Sequence, residues 1–155
     1  MARDWDILDA IRGLLVASGE FDGVYRSATP EQKGQAAGDR IAAVVAPLSW
    51  EEICESDDPD VIQSLRKVVW QLTLIVREED PETRERTLDR LLAVCQGTLD
   101  GQCLAGVTIV PWTWLNSGRY EPPNPPAQAM IVTGRFSYYI EGFTGHSTST
   151  FPGQP

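Results

Sequence analysis

Hydrophobic and polar positions alternate most cleanly between Leu65 and Arg77, and the spacing then turns helical as far as Leu99. Val68, Trp70, Leu72, Leu74 and Val76 fall on one side of an extended chain; Val69, Gln71, Thr73, Ile75 and Arg77 fall on the other. This predicts a strand with one apolar and one mixed face. Glu78, Glu79 and Asp80 end it, and Asp80-Pro81 opens a helix. Asp80 serves as N-cap, proline takes the first helical position, and Glu82 sits near the positive end of the dipole. Leu88, Leu91, Leu92, Cys95 and Leu99 recur at helical steps and form one apolar stripe. Strand and helix must therefore pack on each other, and the rest of the chain extends or covers that unit.

An earlier helix is expected with Asp4 or Asp6 as cap, Ile7, Leu8, Ile11, Leu14 and Leu15 as its apolar face, and Gly19 closing it. Phe21 to Arg26 reads as a short strand and Ser27 to Gly38 as a loop. Asp39 to Leu48 fits strand or helix by period alone; its β-branched residues and Pro47 favour strand. Trp50 to Asp60 is an acidic run, which a solvated loop explains more simply than a short helix. After Asp100-Gly101, Val107, Ile109 and Trp112 to Leu115 suggest a strand that Pro111 confines to an edge or a bulge.

Tyr120 to Pro126 holds four prolines in seven residues and is expected to be an extended linker. Met130, Val132, Phe136, Tyr138 and Ile140 mark the apolar face of a further strand, in which Gly134 signals a bulge or a close neighbour. The expectation is an α+β fold: a mainly antiparallel sheet with two amphipathic helices packed on one face. Residues 1–142 form a single domain in this reading, and 143–155 an extended C-terminal arm. An arm of that composition is ordered only if something holds it. Phe143 and Phe151 are its anchors, on a neighbouring subunit or on its own domain.

Composition narrows the class. With 155 residues the chain can bury a core without staples, and no apolar run is long enough for a bilayer. The acidic start, without an apolar h-region, argues against a signal peptide. Three cysteines (Cys54, Cys95, Cys103) have no metal-type spacing; Cys95 lies on the helix stripe, as a buried thiol would in a reducing compartment. A net charge of −9 argues against a surface built to bind nucleic acid. His146, the only histidine, lies between Gly145 and Ser147 in the tail, and no nucleophile, P-loop, dinucleotide or zinc motif is present. No catalytic, cofactor-binding or metal residue is assigned.

Aromatic residues instead crowd the last third beside the prolines, a composition typical of interfaces. Some fill the core. Trp112, Trp114, Tyr120, Tyr139, Phe143 and Phe151 are the candidate subunit contacts. Glu51, Glu52, Glu55, Asp57, Asp58 and Asp60 are candidates to face a lumen or a neighbouring ring.

The element order, the length and the run Thr87-Leu-Asp-Arg-Leu-Leu92, Leu99-Asp-Gly-Gln-Cys-Leu-Ala-Gly106, Arg119-Tyr-Glu-Pro-Pro and Thr133-Gly-Arg-Phe resemble tail-terminator (tail-completion) proteins of long-tailed bacteriophages. Related proteins occur in tail-like particles and gene transfer agents. The likeness spans roughly Trp5 to Phe143; the Pro-rich segment and the Ser/Thr/Pro tail depart from it. It implies a non-enzymatic virion protein made in the bacterial cytoplasm. It also implies a hexameric ring at the head-proximal end of the tail tube, bound to the tube protein and to head-side connector or neck proteins. DNA passes through without specific binding, and no cofactor or membrane is involved. Other readings are a head–tail adaptor, a tube or baseplate component, or a small binding module.

Overall fold

The computed structural model describes residues 2–26, 38–54, 61–106, 108, 113–116 and 118–143. Helix α1 (Ala2–Ala17) is followed by strands β1 (Gly23–Arg26), β2 (Ile41–Cys54) and β3 (Val61–Arg77), then helix α2 (Pro81–Leu99). A short 3₁₀ turn (Leu104–Gly106) leads to β4 (Thr113–Trp114), β5 (Arg119–Tyr120) and β6 (Ala127–Phe143). These strands form one six-stranded sheet in the order β1-β2-β3-β6-β4, with β5 also on β6. Among the described residues only the β1–β2 pair is parallel. The expected α+β architecture is therefore present.

The central unit forms as the pattern predicts. Val68, Trp70, Leu72, Leu74 and Val76 are all buried, as are Leu88, Leu91, Cys95 and Leu99 of α2; Leu92 packs at the margin. Asp80 caps α2 by accepting from the Thr83 backbone N–H at 3.2 Å, and Pro81 follows it. Hydrogen bonds from the Thr83 hydroxyl and backbone N–H hold the Asp80 carboxyl below its ordinary pKa. On α1, Ile7, Leu8, Ile11 and Leu15 are buried and Leu14 packs on the core, and Gly19 ends the helix region at φ +74°. In β6, Met130, Val132, Phe136, Tyr138 and Ile140 complete the same core.

Gly134 is the close approach its position suggested. A Cβ there would lie 2.8 Å from Trp70 Nε1, so the absence of a side chain lets the Trp70 indole lie against β6.

Four expectations need correction. Asp4 is not a cap, because α1 already runs from Ala2 and its carboxylate is engaged by Arg66. Asp6 lies within the same helix. The acidic run is not a loop from Trp50 onward, since β2 continues to Cys54. The β2–β3 register shifts between Pro47 and Ser49, so Leu48 is an extra residue. That bulge inverts the facing, and Trp50 and Glu52 reach the helix side while Glu51 and Ile53 turn away. Tyr120 to Pro126 is not an extended linker but the bend between β5 and β6, closed by reciprocal Asn124–Ala127 backbone hydrogen bonds at 2.8 and 2.9 Å. Finally, β3 begins at Val61, before Leu65. The Ser27 loop and the expected strand residues Val107, Ile109 and Trp112 lie outside the described residues, as do Glu55 to Asp60 and the tail beyond Phe143.

Candidate assembly surface

Both helices lie against the face of Val68 to Val76, and among the described residues no helix covers the opposite face. Cross-strand pairing builds that second face in rows, because antiparallel partners share a side. Ile53, Leu65 and Tyr139 form one row; Glu51, Lys67 and Ser137 the next; Ser49, Val69 and Arg135 the third. Tyr139 is 44% exposed and Ile53 39%. Lys67 and Arg135 lie diagonally across neighbouring rows and line a hollow of about 180 Å³ with Ser49, Trp50, Glu51 and Val69. A second hollow nearer β5 is lined by Gln71, Asn116, Arg119, Ile131 and Thr133.

The aromatic candidates separate on this frame. Tyr120 is 41% exposed, on the helix side of β5, and its hydroxyl donates to Asp89 of α2. Burial, then that hydrogen bond and the negative charge of Asp89, push its pKa up to about 12. Trp114 is half-buried: its ring lies 5.7 Å from that of Trp70, and its Nε1 donates to Asp100 at 2.7 Å. Phe143 ends β6 opposite Val61, while Trp112 and Phe151 lie outside the described residues.

Of the acidic candidates, Glu51 lies on the uncovered face and Glu52 pairs with Arg66 at 2.8 Å. Glu55, Asp57, Asp58 and Asp60 lie outside the described residues.

Sequence reading missed the Arg66 cluster. Arg66 is buried, donates from Nε to Asp4 at 3.0 Å, and has its guanidinium 4.0 Å from the Trp50 ring. Tyr138 donates to the same Asp4 at 2.5 Å. Asp4 and Glu52 thus balance one cation between α1 and three strands, which ties the helix layer to the sheet. Arg84 is likewise buried, donating to Gln128 at 3.2 Å and to the Glu78 carbonyl at 3.0 Å. Neither had a local signal, because their partners are fixed only by the fold.

Cys95 is buried, and burial pushes its thiol up to about 12. Among the described residues no three His, Cys, Asp or Glu side chains are placed to hold a metal, and no described helix is long and apolar enough to cross a membrane.

These features define an α+β fold in which, among the described residues, one sheet face is packed beneath helices and the other is not. No family model matches the chain, and no curated protein matches it either. Among solved structures it is similar to a chain described as "Virion of native gene transfer agent (GTA) particle", at 15% identity over 84% of each chain and a TM-score of 0.42. A likeness at that level carries no functional weight by itself.

Proposed function

We propose that this protein is a structural virion component. Identical subunits assemble into a ring that caps the head-proximal end of a phage tail tube and joins it to the head-side connector. Six is the number of copies that the resemblance to tail terminators implies. The observation that carries the reading is the uncovered sheet face with Tyr139 and Ile53 exposed on it. Exposed aromatic and aliphatic groups on a broad β surface are satisfied by another protein surface. The charge of −9 supports the same reading, since a conduit of such subunits repels DNA phosphates and lets the genome slide. Residues 143–155 act as an arm that reaches a neighbour, with Phe143 and Phe151 as anchors. Glu55 to Asp60 face the lumen or the adjoining ring. No step of this role is catalytic.

Native mass spectrometry and negative-stain electron microscopy of the purified protein test it. A closed ring at micromolar concentration is expected; a monomer across the whole concentration range overturns the proposal. Removing residues 143–155 is expected to weaken the ring while circular dichroism still reports a folded monomer.

A further inference from the structure

Given that copies of this chain assemble as a ring, a reading on which this inference rests, the charged groups of the uncovered face indicate how they meet. Among the described side chains, Arg12, Arg77 and Arg84 donate to backbone carbonyls, and Arg26, Arg40, Arg66, Arg86, Arg90 and Arg119 pair with carboxylates. Lys67 and Arg135 have neither, among the described residues. Both are half-buried, and they sit diagonally on adjacent strands, where like charges repel. Glu51 is the cross-strand neighbour of Lys67 but forms no ion pair with it, and one carboxylate cannot neutralise two cations. In a chain with 22 acidic against 13 basic residues, such a pair is a local reversal of sign.

The opposite side of the subunit carries the complement. Glu82, Glu85 and Asp89 follow one another at helical steps on the exposed side of α2, beside Tyr120. Glu82 pairs with Arg86 and Asp89 accepts from Tyr120, whereas Glu85 has no partner among the described residues.

We infer that Lys67 and Arg135 on the uncovered face of one copy receive the Glu82–Glu85–Asp89 stripe of α2 from a second copy. The two surfaces lie on opposite sides of the same subunit, with the sheet between them. Contact is therefore head-to-tail, which closes into a ring or runs on as a filament according to the rotation between copies. A two-fold pairing of uncovered faces instead brings cation toward cation. Tyr139 on one surface and Tyr120 on the other supply the aromatic contacts that flank the charges.

Charge swapping tests the pairing. K67E/R135E and E82K/E85K are each expected to lose oligomers at concentrations where the wild type is assembled, a weakening of at least about tenfold. Mixing the two variants restores them, because each then offers the other a complementary face. Glu82 and Glu85 are exposed, so the second variant keeps its fold, and thermal melts verify both. If E82K/E85K assembles like the wild type, the head-to-tail pairing is wrong while the ring stands. A monomeric wild type instead removes the ring reading itself. If K67E/R135E abolishes binding of duplex DNA yet leaves oligomers intact, the cations serve phosphate and this inference is overturned.

Discussion

The two faces of the sheet are built from the same strands and differ in nearly everything else. Along β3, Trp70, Leu72 and Leu74 are sealed beneath α2 and α1, while their immediate neighbours Gln71, Thr73 and Ile75 are half-buried on the other side. On β6, Val132 and Phe136 belong to the core, whereas Thr133 and Arg135 do not. One face is shaped by close packing, where every methylene has a partner. The other is shaped by cross-strand pairs, where polar and apolar groups alternate and a second molecule can contribute. The contrast implies that the covered face determines whether the chain folds; the other face is the one on which the proposed assembly depends.

Substitutions can break this comparison, beginning with the polar lock between helix and sheet. Arg66→Ala is expected to cost about 3–5 kcal/mol, because it strands Asp4 in a poorly solvated site. Arg86→Ala, which removes an exposed pair with Glu82, is expected to cost about 0.3–0.5 kcal/mol. Urea denaturation of the two variants measures the difference. If both are equally mild, Arg66 does not tie α1 to the sheet.

The next contrast compares adjacent residues on β3. Leu72→Ala opens a cavity under the helices and is expected to cost about 2–5 kcal/mol. Thr73→Ala, one position on, is expected to cost less than about 1 kcal/mol. Equal losses would mean that the second face is as tightly packed as the first. Gly134→Ala falls between them, at about 1–3 kcal/mol, because its Cβ meets the buried Trp70 indole at 2.8–3.0 Å. Trp70→Phe in the same background should relieve part of that loss, and thermal melts of the double variant measure how much.

How far the sequence foretold this arrangement depends on the kind of residue. β3, α2 and β6 were legible because Val68 to Val76, Leu88 to Leu99 and Met130 to Ile140 keep one period with little interruption. The outward facing of Tyr139 came from the same alternation. The end of β2 was not legible, because Leu48 inserts an extra residue and reverses the facing of every later position in the strand. Glu51 and Glu52 look alike in a charge run, yet one lies on the uncovered face and the other serves Arg66. Arg66 and Arg84 could not be singled out at all, since a buried cation is defined by partners distant in sequence: Asp4 lies 62 residues from Arg66, and Gln128 lies 44 from Arg84. Tyr120 is a surface candidate from composition and is exposed, whereas its bond to Asp89, 31 residues away, was not legible because the fold alone brings the two together.

The smallest effect at neutral pH is expected from Tyr120→Phe, and its pH dependence sharpens the comparison between packed and exposed groups. The Tyr120 hydroxyl is pushed from 10.0 to about 12 by burial and by donation to Asp89; the Cys95 thiol moves from 9.0 to about 12 by burial alone. Both folded values lie above the unfolded ones. Each neutral form therefore contributes stability that is fully present below the unfolded pKa and is lost as pH rises through the folded value near 12. The wild type should lose stability progressively above about pH 9, the range in which an unfolded thiol and then a phenol ionise. Cys95→Ala removes the thiol's part of that slope but leaves a small cavity at every pH. Tyr120→Phe removes only the phenol's smaller part, because solvent at this exposed site screens the ion that forms. Urea midpoints at pH 7, 9 and 10.5 for the three proteins separate the two contributions. If Tyr120→Phe flattens the slope more than Cys95→Ala does, the β5 edge is better shielded from water than the core face of α2.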